Sequence, residues 1–184
     1  GDLGNSTVVT NYGILAVNRS DTFTYAGAIA GAGALQQAGA GTTILSGNNS
    51  YSGTTTISAG TLQVGAGGTS GTLGNSSNIV NNATLVFSRS DNISVNGPIS
   101  GIGLLTQQGT GMLTLNTNET FTGGIRINAG GIVLGQNASV SNTASFTMAI
   151  NTTLTTPPSG LTLNPAVSQF ISGRGVVTGA GDAA

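Results

Sequence analysis

The chain has 184 residues, 5% of them charged, and a formal net charge of −1; an average soluble protein has about 25% charged residues. It lacks Cys, His and Lys, which excludes a disulfide framework, a thiolate metal site, a Ser-His-Asp or Cys-His catalytic arrangement and a Schiff base. Four scattered Arg residues form no basic patch for nucleic acid. No apolar run approaches the ~20 residues of a transmembrane helix, so we expect no membrane insertion by this segment.

Short runs of alternating or β-branched residues follow one another along the chain, separated by Gly or Asn. In chain order, the first of these runs are Thr7–Thr10, Ile14–Val17, Thr22–Tyr25, Ala34–Gln37, Thr42–Leu45, Thr54–Ile57 and Thr61–Val64. Later runs include Leu85–Phe87, Leu113–Leu115, Ile125–Ile127 and Ile132–Leu134. Gly and Asn accept the positive φ of tight turns, and no window keeps a helical period. The pattern predicts an all-β fold.

The sequence repeats itself at a constant offset. Residues 1–65 align with residues 71–135 without a gap, and 25 of these 65 positions are identical. The motif GDLGNS at the start returns as GTLGNS, and both Arg-Ser-Asp and Ile-x-Gly-x-Gly-x-Leu also occur in each copy. Ungapped self-similarity over this length is typical of stacked repeats, in which each unit buries its apolar face against the next.

Two architectures accommodate strands at this spacing, an antiparallel sandwich and a solenoid. Runs of about four residues without hairpin turns favour the solenoid, in which neutral side chains can stack on their own kind at the ~4.8 Å strand spacing. At roughly 23 residues a coil, the 70-residue repeat makes three coils and the chain about eight, a rod ~38 Å long. We predict one β-helix domain, 1–184, with units 1–70, 71–140 and a divergent partial unit 141–184.

The last unit departs from the pattern from Gln136 onward. Pro157 and Pro158, followed by Pro165, predict an irregular loop or turn at 155–160. The motif then resumes at Ile171–Val177.

A spaced set of Gly, aromatic and aliphatic residues carries a family resemblance. In the first copy it comprises Gly39, Gly41, Leu45, Gly47, Asn49, Tyr51, Gly53, Ile57, Gly60, Thr61, Leu62 and Gly65. The second copy keeps Gly109, Gly111, Leu113, Leu115, Phe121, Gly123, Ile127, Gly130 and Gly135, and has Thr117 and Glu119 in place of Gly47 and Asn49. This set resembles the autotransporter-associated β-strand repeat of passenger regions in bacterial type V secretion proteins.

The resemblance implies a right-handed parallel β-helix at the bacterial cell surface or outside the cell, and a family of stalks, adhesins and toxins with no shared catalytic residues. The residues themselves suggest structural roles. Gly39 and Gly41 permit a tight corner, and Leu45 and Ile57 fill the coil interior. Tyr51 and its counterpart Phe121 share one aromatic position, which we expect to be packed inside and stacked in a ladder rather than to bind a ligand.

Asp21 and Asp91 are the strongest candidate carboxylates because each recurs in an Arg-Ser-Asp setting. A glycosidase needs two carboxyl groups about 5–9.5 Å apart, whereas three coils would separate these by roughly 14 Å. Arg19 and Asp21 share one strand face, so we expect a structural surface pair instead.

Three further patterns carry little chemistry. Gly31-x-Gly33 and its counterpart at 101–103 lack the strand-to-helix context of a dinucleotide site, so we interpret them as corner glycines. The segment Gly179–Asp182 resembles a calcium repeat only weakly, and we predict no metal and no cofactor. Nine Asn-x-Ser/Thr triplets, at Asn5, Asn18, Asn48, Asn75, Asn82, Asn92, Asn118, Asn137 and Asn151, are glycan acceptors if the source glycosylates, but an Asn- and Ser/Thr-rich chain forms them by chance.

Three functional hypotheses remain. The first is a non-catalytic structural segment of a secreted surface protein, either a stalk or an adhesive spine in contact with a host or matrix surface. The second is a subunit that stacks end to end on neighbouring β-helix segments or on copies of itself, since uncovered strand edges template further strands. The third is a polysaccharide-binding or polysaccharide-cleaving β-helix, with sugars on Tyr12, Tyr25 or Tyr51.

Overall fold

The computed structural model describes residues 7–75, 78–161 and 170–179. These residues form an all-β solenoid in which all strand pairs are parallel and no helix occurs. The predictions made for the first GDLGNS motif, Pro165 and the end of the Gly179–Asp182 segment lie outside the described residues.

Each coil passes over three faces in turn. The first face carries β1 (Val8–Thr10), β4 (Ala28–Ala30), β11 (Ile93–Val95), β14 (Met112–Leu115), β16 (Gly131–Leu134), β18 (Thr153–Thr156) and β20 (Val176–Gly179). The second carries β2 (Ile14–Val17), β5 (Ala34–Gln37), β7 (Thr55–Ile57), β9 (Ile79–Asn81) and β12 (Ile99–Ser100). The third carries β3 (Thr22–Tyr25), β6 (Thr42–Leu45), β8 (Thr61–Val64), β10 (Thr84–Phe87), β13 (Leu104–Gln107), β15 (Ile125–Ile127), β17 (Ser145–Met148) and β19 (Phe170–Gly173).

The eight strands of the third face confirm a parallel solenoid of about eight coils. The predicted runs up to Val64 correspond to strands within one residue at each end. The short strand β4 was not predicted, because Ala-Ile-Ala between two glycines shows neither alternation nor a β-branched run.

Alternating side chains point into one continuous apolar core. In β5, β6 and β8 every second residue is buried, as expected for the period of two in a strand. The core runs the length of the solenoid, and its largest fully buried side chains are Tyr51, Phe87, Phe121 and Phe146.

Coil length varies along the solenoid. On the third face Thr42 pairs with Thr61, and Thr61 pairs with Thr84, so the second of these coils is longer than the first. The longest coil on this face runs from Ser145 to Phe170. In the coil from Thr61 to Thr84 the additional residues lie in the segment 65–75, which forms no strand.

Corresponding residues of the two copies do not stack on one another. From Leu35 on the second face, the register leads through Thr55 and Ile79 to Ile99, three coils farther on the same face. The counterpart Leu105 lies one side beyond, in β13 on the third face. The expectation of one repeat every three coils is therefore wrong. Three full coils lead from Leu35 to Ile99. The residues from Ile99 to Leu105 then take the chain to the next of the three faces, which adds a third of a coil, so one repeat spans three and a third coils.

The strand ladder of the first face is interrupted in the third and fourth coils. There residues 47–51 and 71–75 pass without regular strand structure. They are still attached to the coil before them, because Ser50 N donates to Ile29 O and Thr72 N donates to Gly47 O. Strand pairing on this face resumes with β11.

The predicted irregular segment in the last unit is confirmed for residues 157–160. Strand β18 ends at Thr156, and Gly160 N donates to Pro157 O across a turn. Residues 155 and 156 remain in the strand, so the loop begins later than predicted.

The one-third-turn offset predicts that deleting one whole unit preserves the fold. Deleting residues 36–105 joins Leu35 to Thr106, creates the strand Ala-Leu-Thr-Gln in place of Ala-Leu-Gln-Gln, and puts Gly109 where Gly39 stood. We expect cooperative thermal unfolding and a rod about 16 Å shorter in small-angle X-ray scattering, from three and a third spacings of ~4.8 Å. Deleting residues 36–102 moves the glycine by three positions and should unfold at a clearly lower temperature. Equal stability of the two deletions would contradict the offset.

Candidate functional site

Gly39 and Gly41 lie at the corner between the second and third faces, directly on the Arg-Ser-Asp corner of the coil before. A Cβ on Gly39 would overlap the main chain of Arg19, and a Cβ on Gly41 would overlap the main-chain oxygen of Asp21. Gly41 N also donates to Arg19 O at 2.8 Å. Main chain thus packs on main chain, and glycine is required because no side chain fits between the coils.

The same corner recurs in the second copy, one side farther round. Gly109 lies on Arg89 and Gly111 on Asp91, again too close for a Cβ. The Arg-Ser-Asp and Gly-x-Gly motifs are therefore two layers of one corner, which explains why they recur together.

A buried glutamine closes each corner from the inside. Gln37 Nε2 donates to Gly39 O at 2.8 Å and to Gly41 O at 3.3 Å, while Thr43 Oγ1 donates to Gln37 Oε1 at 2.6 Å. The amide supplies a donor to the buried carbonyl of Gly39 and a second donor to Gly41 O, which also accepts from Thr61 N at 3.0 Å.

The counterpart Gln107 is satisfied only on one side. Its Nε2 donates to Gly109 O at 3.0 Å and to Gly111 O at 2.7 Å. Leu113 occupies the position of Thr43, and Gln107 Oε1 has no hydrogen-bond partner in the described part of the chain.

The aliphatic repeat positions lie in the core, on all three faces. Leu45, Ile57, Leu115 and Ile127 are each at most 1% exposed. Gly53 and Gly123 lie at corners, where a Cβ would collide with the main chain of the coil before.

Tyr51 and Phe121 are both fully buried, so neither offers a face to a ligand. The expected ladder between them is wrong: Tyr51 N donates to Ile29 O on the first face, and Phe121 N donates to Ile99 O on the second. The Tyr51 hydroxyl lies 2.8 Å from Thr55 Oγ1. In the second copy the pair becomes Phe121 and Ile125, so the hydroxyl and its partner change together.

Asp21 and Asp91 do not come together, and each is bound by its own arginine. Arg19 Nε and Nη2 donate to the two oxygens of Asp21 at 2.8 and 2.7 Å, and Arg89 holds Asp91 with the same distances. The hydrogen bond from arginine holds the pKa of each carboxyl below 3.8. The predicted structural pairing is confirmed; the pairs lie at different corners rather than three coils apart on one edge.

Arg89 is not on the surface, as its pair was predicted to be. Its side chain is 8% exposed, against 32% for Arg19. Arg89 Nη1 donates to Gly71 O at 2.6 Å and Nη2 donates to Thr69 O, so the guanidinium fixes the loop 65–71. This loop lies in the long coil that β8 and β10 bound. The signal for this role in the sequence was the Gly-rich segment 65–71, and sequence reasoning missed the role.

Glu119 is the second functional feature that sequence reasoning missed. It stands where the first copy has Asn49, and it is 2% exposed. Ile99 N and Thr117 Oγ1 donate to its two carboxyl oxygens, as Ile29 N donates to Asn49 Oδ1. Burial raises the pKa of Glu119 from 4.5 to about 7, because desolvation outweighs these two hydrogen bonds.

In residues 7–75, 78–161 and 170–179 no group of three His, Cys, Asp or Glu side chains could hold a metal ion. The same residues include no helix that is long and apolar enough to cross a membrane.

Replacing the two equivalent arginines should have unequal effects. Arg89→Gln removes two hydrogen bonds to main-chain carbonyls, and we expect the free energy of unfolding to fall by about 3 kcal/mol. Arg19→Gln removes a half-exposed ion pair and the contact of the guanidinium with the Phe23 ring, and should have a smaller effect. Urea unfolding of both variants measures the difference, and similar losses would contradict the loop-fixing role of Arg89.

Glu119 makes the folded state more stable at acid pH. Its folded pKa lies above its unfolded value, so the added stability is fully present below pH 4.5 and is lost as pH rises to about 7. The loss amounts to about 3 kcal/mol. Asp21 and Asp91 titrate below this window because their pKa values are lowered from 3.8. Glu119→Gln should abolish the dependence between pH 4.5 and 7 in thermal unfolding, and an unchanged slope would contradict the assignment.

Comparison with known proteins identifies the repeat. The family model described as passenger-associated-transport-repeat matches residues 35–64 and 105–134, segments that correspond to each other in the two copies. Each match runs from β5 to β8 or from β13 to β16, one and a third coils. The chain is also 40% identical over 98 residues, 53% of its length, to the adhesin BmaC autotransporter of Brucella suis biovar 1 (strain 1330).

The matched region spans 3% of that relative's length. No solved structure matches the chain. Two corresponding segments of the chain are therefore similar to the passenger-associated-transport-repeat, and both are folded into the corners and faces of a parallel β-solenoid.

Proposed function

We propose that this chain is a non-catalytic structural segment of a protein on the bacterial cell surface, built as a right-handed β-helical stalk or adhesive spine. The observation that carries the proposal is where the carboxyl groups lie. Asp21 and Asp91 are each held by an arginine at separate corners, and Glu119 is buried against main chain. Acid–base hydrolysis of a glycan needs two converging carboxyl groups, and the three carboxyl groups in the described part of the chain lie at separate places, each with its own partner.

The match to an adhesin autotransporter supports a place at the cell surface and a part in a much longer chain. In such a chain the repeat unit is a length module: each copy adds three and a third coils, or about 16 Å. Stacked coils need only their neighbours for burial, so length grows without a larger core. A host or matrix surface is the proposed target of the complete protein.

Duplicating residues 36–105 tests the stalk. We expect the rod to lengthen by about 16 Å at unchanged cross-section in small-angle scattering, and neither form to release reducing sugar from a panel of polysaccharides. A compact particle of the same maximum dimension would contradict the stalk. Turnover that Asp91→Asn abolishes would show an enzyme instead.

A second function, end-to-end assembly, is favoured by exposed apolar residues in the outermost described coils. The core-facing side chains of Val9, Leu15 and Phe23 are only partly buried at one end, and Val177 is 44% exposed at the other although its strand partner Leu154 is fully buried. Copies of this chain, or neighbouring β-helix segments, would cover them.

Sedimentation velocity at increasing concentration tests this assembly. Val177→Asp should abolish any association, whereas Ile102→Asp, which is 72% exposed in the middle of the rod, should not. Monomers at all concentrations would exclude self-assembly.

A further inference from the structure

The interrupted first face contains a cavity of about 490 Å³ between the fourth and fifth coils. One wall is the irregular segment at Thr72–Asn75, and the other is β11 with the residues after it. We call this cavity the slot. No main-chain hydrogen bond joins the two walls in the described residues, whereas the coils on either side are joined. The slot is therefore an opening in the strand ladder.

The inner side of the slot is apolar. Core side chains of Val64, Ile79 and Phe87 form its floor, and Leu73 and Val95 line the walls. A ligand that enters must therefore present an apolar surface inward, where burial of carbon is favourable.

Neutral hydrogen-bonding groups surround the mouth. Val95 O accepts from Asn116 N in the next coil. Because main-chain groups of successive strand residues point to opposite sides, the N–H and C=O of Ser94 face the slot. Asn96 Oδ1 accepts from Asn116 Nδ2 at 2.8 Å, which holds the amide and leaves its Nδ2 as a donor. Asn75 lines the same mouth.

The polarity of the slot selects among ligand classes. None of its lining residues is charged, so an anion or cation would lose its hydration without gaining a partner. A purely aliphatic ligand would fill the floor but leave the amides at the mouth unpaired. A pyranose ring has an apolar C–H face and a rim of hydroxyls, and the volume lies in the usual range for small-molecule sites. We propose that the slot binds one neutral hexose residue of a glycan.

This proposal goes beyond the structural role proposed above and does not depend on it. It also differs from the earlier hypothesis of sugars on tyrosines, two of which, Tyr25 and Tyr51, are buried in the core. The position is specific to the second copy. The counterparts of Ser94 and Asn96 are Thr24 and Ala26, in and beside β3, which pairs regularly with β6.

Titration of the ¹⁵N-labelled chain with methyl glucoside, methyl galactoside and methyl mannoside tests the slot. We expect saturable shifts confined to residues 72–75 and 93–97 for at least one sugar, with millimolar affinity. Asn96→Leu should weaken binding at least tenfold, and Ala26→Leu, the matched control at the equivalent position, should not change it. Melting temperatures of all variants establish that they remain folded.

Three results would overturn the proposal. The first is the absence of saturable shifts with any of these glycosides. The second is binding that the Asn96→Leu change leaves intact. The third is preferential binding of hexanol or of sialic acid, which would assign the slot to an aliphatic or an anionic ligand.

Discussion

At the corners main chain packs directly on main chain, without a side chain between the coils, and the rest of the solenoid depends on this contact. Gly39 and Gly109 lie against the main chain of an arginine one coil earlier, with no space for a side chain. This contact sets the height of each coil and thereby aligns the strand registers on the faces between corners. Corner carbonyls brought so close need internal donors, which Gln37 and Gln107 supply. The glycine and glutamine positions therefore act together to form each corner.

Low charge follows from the same geometry. Stacking places chemically similar positions a strand spacing apart, where equal charges repel. In the described part of the chain, Asp21 and Asp91 are each paired with an arginine within one corner. Glu119 is the exception, since a carboxyl occupies a position that a neutral amide, Asn49, fills in the other copy. Its acid–base behaviour is a local consequence of that exchange, and nothing in the coil architecture requires it.

Much of the fold could be predicted from the sequence, because alternation and glycine punctuation act locally. The strands β2, β5 and β6 have the predicted bounds. The stacking of the copies could not be predicted, because it depends on coil length. Most coils are shorter than the expected length of roughly 23 residues. The expected length predicts three coils for each repeat instead of three and a third, and this error led to the prediction of a ladder between Tyr51 and Phe121. The roles of Arg89 and Glu119 were hidden for a related reason: burial by a loop or by the next coil is a tertiary property.

The offset of a third of a turn determines where the residues of a duplicated repeat lie on the rod. A duplication of one unit restores every corner only if the three faces are interchangeable, and the second copy uses the third face where the first uses the second. In a protein that lengthens by such duplications, each copy is rotated about the solenoid axis by a third of a turn relative to the copy before it. Any residue acquired on the outside of an ancestral unit is inherited on all sides of the descendant rod within ten coils. An antibody raised against one side would then meet its epitope again on the other two.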